Sequence, residues 1–284
     1  MSLRRPVLRA SACVLALAAA GPVRAQVNGG FDLDFGDYVW RGITRSNTFT
    51  LRPQAWVSIP SANGELALGA WKAIELGPAE PGEITTRGRH HDSPAEFDVW
   101  AQYTHHFSGV DAAVGAIRYT FTGDPDTGGL GDDASTTEVY AQLWPTFLPA
   151  LEPRVTLYHD VERTHGTYLE IDATHSFPLV PVVPIDIQVG ATGGFSLREP
   201  KDFPTPRGWE SFAGTGATHL DLRAGMTIRL ETLLPVPMAL HGTAHHQRSY
   251  DDATRQVRLN ESRSHRWWGE GGVSVYFGGT RRPK

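Results

Sequence analysis

The sequence predicts an all-β fold, a transmembrane antiparallel up-and-down β-barrel of about 12 strands. The first observation is a two-residue alternation of apolar and polar side chains, which puts one chemistry on each face of a strand. Residues 218–231 illustrate it, with apolar Leu220, Leu222, Ala224, Met226, Ile228 and Leu230. The second is strand length, because strands of about 9 to 11 residues suit a tilted bilayer crossing, whereas soluble sandwiches use about 5 or 6. The third is a regular succession of short and long connections, which a membrane barrel requires.

The chain begins with a segment that has the features of a secretory signal peptide. Arg4, Arg5 and Arg9 precede an apolar run over residues 10–20, and Val23-Arg24-Ala25 forms a cleavage site before Gln26. We therefore expect residues 1–25 to be removed and residues 26–284 to form one outer-membrane β-barrel domain. The single cysteine lies inside the signal, so the mature chain has no disulfide or thiolate metal site.

Twelve candidate strands follow, each bounded by turn residues. In the first half they are Phe31–Arg41, Phe49–Ile59, Gly64–Leu76, Ala95–Phe107, Val110–Thr122 and Thr136–Phe147. In the second half they are Arg154–Glu162, Thr167–Phe177, Pro184–Leu197, Thr218–Glu231, Pro237–Tyr250 and Arg266–Phe277. An even number allows both ends of the barrel to lie on the periplasmic side.

The connections predict the orientation of the barrel. Short turns, expected on the periplasmic side, cover residues 61–63, 108–109, 149–152, 179–183 and 233–236. Long polar links, expected outside the cell, cover 77–94, 123–135, 198–216 and 251–265. One short link, 163–166, falls on the extracellular side by this count. Aromatic residues near strand ends predict interfacial girdles: Trp40, Trp71, Trp144, Trp267, Trp268, Tyr276 and Phe277. The alternative is that they fill a sandwich core.

Composition limits the classes of function. Removing the signal takes away four arginines, so the formal charge falls from −5 to −9, which argues against nucleic acid as a partner. Nearly all the positive charge is arginine, which pairs well with carboxylates in a polar interior. The mean hydropathy of −0.29 resembles that of a soluble protein, but a barrel with a polar lumen gives the same average.

Four segments resemble the TorF-type porin family of proteobacterial outer membranes. The specific one is residues 36–46, Gly-Asp-Tyr-Val-Trp-Arg-Gly-Ile-Thr-Arg-Ser; residues 64–71, 96–103 and 137–141 follow in the order that the family uses. The resemblance covers essentially the whole mature chain. It implies a barrel of about twelve strands in the outer membrane of a Gram-negative bacterium, described as a porin, with no assigned substrate and no catalytic residues. One departure is the tail at 278–284, because such barrels often end on an aromatic residue read by the insertion machinery.

The polar faces of the strands supply candidate lumen residues. Those we single out are Arg41, Asp98, Glu138, Arg154, Glu170, Asp172, Asp186, Asp221, Arg223, Arg229 and Glu270. Residues of both signs either line a wet pore or close into a salt-bridge network that plugs the barrel. Acidic groups outnumber basic ones, so a conducting pore is expected to favour cations mildly. For Arg41 we expect pairing with a carboxylate more than contact with a solute.

Few residues suggest other chemistry. The pairs His105-His106 and His245-His246 lie on strands, where neighbours point to opposite faces and cannot jointly hold a metal. Two further segments lie in expected loops: His90-His91-Asp92 and the acidic stretch 124–133. The simpler interpretation is that these side chains face solvent, and the alternative is that they bind a metal ion. Ser108 and His106 invite comparison with outer-membrane lipid hydrolases, but a two-residue offset on a strand separates side chains by about 7 Å, too far for a hydrogen bond.

Three functional hypotheses remain open. The first is a passive channel or porin for small polar solutes, without catalysis, metal or organic cofactor. The second is a closed structural or binding barrel whose extracellular loops act, and the third a lipid hydrolase at the membrane rim. In each case the expected partners are outer-membrane lipid and the barrel insertion machinery.

Overall fold

The computed structural model describes residues 27–41, 43–76, 96–121, 135–180, 184–197, 215–232, 237–251 and 264–277. Among the predicted features, the signal peptide, His90-His91-Asp92, the acidic stretch 124–133, most of the long links and the tail after Phe277 lie outside these ranges. No helix in the described part of the chain is long and apolar enough to cross a membrane.

Twelve antiparallel strands form one closed barrel. Its first six strands are β1 Asn28–Trp40, β2 Ile43–Ser61, β3 Gly64–Glu75, β4 Glu96–Phe107, β5 Val110–Phe121 and β6 Thr136–Pro145. The others are β7 Arg154–Asp160, β8 Thr167–Pro178, β9 Ile185–Leu197, β10 Gly216–Arg229, β11 Met238–Ser249 and β12 His265–Phe277. Each strand pairs with its neighbours in the chain, and β12 pairs with β1, as in Phe31 opposite Val275. The predicted fold class is confirmed.

The two faces of the wall have opposite chemistry. Outward apolar side chains are exposed, for example Val114 at 60% and Leu222 at 48%. Inward polar side chains are buried, for example Asp32 at 1% and Gln247 at 2%. A soluble protein buries its apolar residues, so this inverted distribution is the arrangement that a strand wall between lipid and a polar lumen produces.

Connections at the two ends of the barrel differ as the sequence predicts. At the end that holds Asn28 and Phe277, tight turns join β2 to β3 and β4 to β5. At the opposite end, β3 ends and β4 begins, and β5 ends and β6 begins. The short link between β7 and β8 also lies at that opposite end, as the strand count requires. A second short connection there joins β1 to β2, which leaves Arg41 beside the last residue of β1.

Some strand bounds differ from the prediction. β2 begins at Ile43 instead of Phe49, because the residues before Phe49 continue the ladder with β1 through irregular pairings near Gly36 and Tyr38. At the other end of the barrel, β10 ends at Arg229, and Leu230–Thr232 form one 3-10 turn. In both places the local residues are polar or mixed, so alternation alone does not mark where pairing ends.

The girdle interpretation is wrong for four of the aromatic residues. Trp40 and Trp71 line an interior cavity, Trp144 is 7% exposed, and Trp268 stacks on the inward ring of His245. Trp267, at 73% exposure, and Phe277, at 52%, do face outward. Successive side chains of a strand point to opposite faces, so an aromatic residue near a strand end points inward or outward according to its place in that alternation.

Candidate functional site

Strand pairing and burial put the predicted lumen residues on the inward face. They are Asp98 on β4, Glu138 on β6, Arg154 on β7, Glu170 and Asp172 on β8, Asp186 on β9, Asp221, Arg223 and Arg229 on β10, and Glu270 on β12. Arg41 reaches the same interior from the β1–β2 connection. The polar lumen therefore consists of side chains from strands on all sides of the barrel.

Most of these charges pair along the wall, between strands that are adjacent or one strand apart. Arg223 donates to Asp172 at 2.6 Å and to Thr192 at 2.5 Å. Arg229 Nε lies 3.0 Å from Asp186, and Arg154 lies 3.7 Å from Glu170. Because these pairs run around the circumference, they link neighbouring parts of the wall to one another.

A second polar cluster lies where β10, β11 and β12 meet. His245 Nδ1 lies 2.7 Å from Asp221, and its ring stacks on Trp268 with centroids 3.5 Å apart. Arg52, from β2, reaches over β1 to donate to Glu270 at 2.6 Å. The cluster ties the closing strands together. Among the described residues, no group of three or more His, Cys, Asp or Glu side chains is arranged to hold a metal ion.

Among the described residues, one ion pair crosses the lumen. Arg41 donates through both terminal nitrogens to Glu138, at 2.7 and 2.6 Å. Arg41 follows β1 and Glu138 lies on β6, with β2 to β5 between them in the wall. Both side chains are buried, at 6% and 8% exposure, and Tyr119 donates a further hydrogen bond to Glu138 at 3.0 Å. The pair therefore narrows the passage in the half of the barrel nearer the long connections.

Three aromatic rings enclose the guanidinium group of Arg41. Its central carbon lies 4.5 Å from the ring centroid of Trp40, 4.3 Å from that of Tyr158 and 4.6 Å from that of Tyr168. A guanidinium over an aromatic face at these distances gains cation–π attraction, which is stronger where water is excluded. The carboxylate and the rings together hold this cation in one orientation.

A cavity of about 640 Å³ lies next to this crossing. Its lining combines aromatic rings with amides and charges: Tyr38, Trp40, Trp71, Trp100, Tyr119, Tyr140, Tyr158, Gln54, Gln102, Gln142, Asp98, Arg41, Arg154 and Glu170. The side-chain oxygen of Gln142 and Nε of Arg154 are buried there without a hydrogen-bond partner among the described residues. Buried polar atoms of this kind are usually satisfied by water or a ligand, so the cavity suits a polar occupant.

A second cavity, of about 400 Å³, lies at the mouth near the β6–β7 turn. Arg154 lines both cavities, and the second is also lined by Asp172, Gln188 and Arg223. The two spaces therefore follow each other along the lumen, from the mouth at the end that holds Asn28 and Phe277 to the crossing at Arg41.

The sequence interpretation missed the tyrosine and tryptophan lining, although the signal was present. Tyr140 lies two residues from both Glu138 and Gln142 on β6, so all three side chains share one face. Trp100 lies in the same way between Asp98 and Gln102 on β4. The alternation that assigned the charged residues to the lumen thus assigns these rings there as well. A polar lumen predicts polar side chains, and the girdle interpretation places aromatic side chains at the lipid interface, so these rings do not stand out as lumen residues.

The two residues compared above with those of lipid hydrolases, His106 and Ser108, lie at and just beyond the end of β4. Nδ1 of His106 lies 2.9 Å from Asp111, and Ser108 lies in the short β4–β5 turn. That turn is at the same end as Asn28 and Phe277.

The two histidines of the pair on β11 point to opposite faces, as expected. His245 is buried against Asp221, and the ring of its neighbour His246 contacts outward-facing Trp267.

Comparisons with known proteins give structural likeness only. No protein-family model matches the chain, and no curated protein matches it in sequence. LpxR from Salmonella typhimurium is 10% identical with a TM-score of 0.49, over 87% of this chain and 100% of that one. An outer-membrane channel from Pseudomonas putida F1 is 8% identical with a TM-score of 0.46, over 91% and 100%. The outer-membrane channel DcaP of Acinetobacter baumannii gives 8% and 0.38, over 88% and 96%. Two of these three neighbours are outer-membrane channels, and the likeness is too distant to carry function.

Proposed function

We propose that this chain is an outer-membrane β-barrel of a Gram-negative bacterium that passes small polar solutes through its lumen, without catalysis. The observation that carries the proposal is the inverted polarity of the closed barrel, with exposed Val114 and Leu222 outside and buried Asp32 and Gln247 inside. The two successive cavities supply the route, and their polar lining suits hydrated or hydrogen-bonding solutes.

The Arg41–Glu138 pair favours a narrow passage over a wide one. It joins opposite walls, and its groups are almost fully buried. The same observation supports a second candidate function, a barrel closed to solutes whose exposed loops bind a partner. The two candidates differ in one measurable quantity, the ion current through the folded protein.

The test is single-channel recording of the refolded mature protein in planar bilayers, after heat-modifiable gel mobility has established a folded barrel. We expect small discrete steps for the wild type and severalfold larger steps for Arg41→Ala, because that substitution removes the side chain that crosses the lumen. Arg118→Ala is the control, since Arg118 pairs with Glu162 at the outer end and is 39% exposed. Folded but silent barrels for both wild type and Arg41→Ala would reject the channel in favour of the closed barrel.

A further inference from the structure

We infer that Arg41 occupies a preformed binding site for guanidinium-type cations, and that small solutes bearing this group bind there in competition with it. The inference rests on the proposed channel and narrows its solute class. Its basis is that the cation and its receptor come from different parts of the chain. Arg41 is supplied by the β1–β2 connection, whereas Tyr119, Glu138, Tyr158 and Tyr168 stand on β5 to β8.

The receptor groups are held by contacts of their own. Tyr119 donates to Glu138 at 3.0 Å. The rings of Tyr140 and Tyr158 have centroids 5.7 Å apart, and those of Tyr158 and Tyr168 are 6.2 Å apart. The strands beneath pair directly, with Tyr140 opposite Tyr158 and Tyr158 opposite Tyr168. The carboxylate and the rings therefore stay in position when Arg41 is absent.

The geometry selects a guanidinium over an ammonium group. Glu138 accepts two parallel hydrogen bonds, which a planar fork of donors provides and a single ammonium nitrogen does not. The flat faces of Tyr158 and Tyr168 lie 4.3 and 4.6 Å from the central carbon, at stacking distance for a delocalised cation. A methyl- or ethylguanidinium group reproduces every one of these contacts.

Access and exchange are built into the same region. The cavity of about 640 Å³ is lined by Arg41, Tyr119 and Tyr158, so a solute in that space already touches the site. Arg41 has a φ of +48°, a left-handed conformation that is unfavourable for a residue with a side chain. A free cation that replaces the side chain leaves this φ unchanged, so exchange depends on the side-chain contacts alone.

The experiment is chemical rescue of Arg41→Ala in detergent micelles, where no conduction is needed. Ethylguanidinium supplies the part of the side chain that alanine lacks. We expect millimolar ethylguanidinium to raise the thermal unfolding temperature of Arg41→Ala in a saturable way. NaCl of equal ionic strength and urea, a neutral molecule of similar shape, are expected to leave it unchanged. Wild type is expected to need a higher concentration, because its own Arg41 competes.

The double variant Arg41→Ala/Glu138→Gln tests the site itself. Loss of the charged acceptor is expected to weaken ethylguanidinium binding about tenfold or more. Equal stabilisation of single and double variants, or no saturable effect on the single variant, would overturn the inference. If Arg41→Ala does not fold, Arg41→Gln is measured in the same way. If ethylguanidinium stabilises Arg41→Ala in micelles but the protein conducts no ions in bilayers, the binding site is retained and the channel is rejected. If the protein conducts ions but ethylguanidinium does not stabilise the variant, only the binding site is rejected.

Discussion

Arg41 illustrates how burial changes the value of an ion pair. Its contacts with Glu138 are bidentate and shielded from water, whereas Arg118 and Glu162 form an ion pair that is 39% and 46% exposed. Exposed pairs typically contribute about 0 to 1 kcal/mol because water screens them. A buried pair is costly to break singly, since the remaining charge is left without its partner.

We expect a double-mutant cycle to separate the two pairs. For Arg41→Ala and Glu138→Ala the coupling free energy of unfolding is expected to reach about 1 to 3 kcal/mol, and for Arg118→Ala and Glu162→Ala to stay below about 1 kcal/mol. Denaturant unfolding of the folded barrel in micelles, followed by tryptophan fluorescence, provides the measurement. Equal couplings would mean that the crossing at Arg41 is as wet as the outer surface.

At the scale of the strand, β10 shows how alternation separates lipid from lumen. Leu222 is 48% exposed on the outer face, while its neighbour Arg223 is held inside by Asp172, Thr174 and Thr192. At this level of the barrel, β10 therefore holds an arginine on its inward face and an apolar residue on its outward face.

We expect Leu222→Arg to weaken folding into bilayers by about 2 to 4 kcal/mol, the cost of a charge facing lipid near mid-bilayer. The matched control is Thr227→Arg, which introduces the same residue on the inward face of β10 and is expected to cost less than about 1 kcal/mol. The measurement is the folded fraction in lipid vesicles over a urea series, read by gel mobility. Arg223→Leu is a poorer control, because it removes three hydrogen bonds. Equal losses for both arginine variants would contradict a lipid-facing outer wall.

The sequence predicts the elements better than their contacts. Two-residue alternation predicts all twelve strands. It also predicts which side chains of each strand point outward, because the apolar face must meet lipid. The early start of β2 at Ile43 does not follow, since its pairing with β1 there passes through irregularities near Gly36 and Tyr38. The Arg41–Glu138 pair also lies beyond the sequence: a carboxylate partner is expected, but its location across the lumen depends on barrel curvature.

At the scale of the whole molecule, carboxylates outnumber guanidinium groups among the described residues of the lumen. Asp32, Glu96 and Asp98 are among the carboxylates buried on the inward face. Negative potential in a narrow, low-dielectric passage raises the local concentration of cations.

We therefore expect a mild cation preference, with K⁺ favoured over Cl⁻ by less than about tenfold because most lumen charges are paired. The reversal potential across a KCl gradient measures it. Asp98→Asn is expected to reduce the preference, since Asp98 lines the larger cavity, whereas Glu162→Gln at the exposed outer end is expected to leave it nearly unchanged because salt screens that site. Anion preference in the wild type would contradict this charge balance.

The pairing of β1 with β12 has a kinetic consequence. These strands are separated by almost the whole described chain, so their contacts have the largest sequence separation in the molecule and the greatest entropic cost of closure. Until β12 is available, β1 presents an open edge, which is prone to pair with other chains. Assembly is therefore expected to end in one slow step, the pairing of β1 with β12 that places Phe31 opposite Val275 and Leu33 opposite Val273.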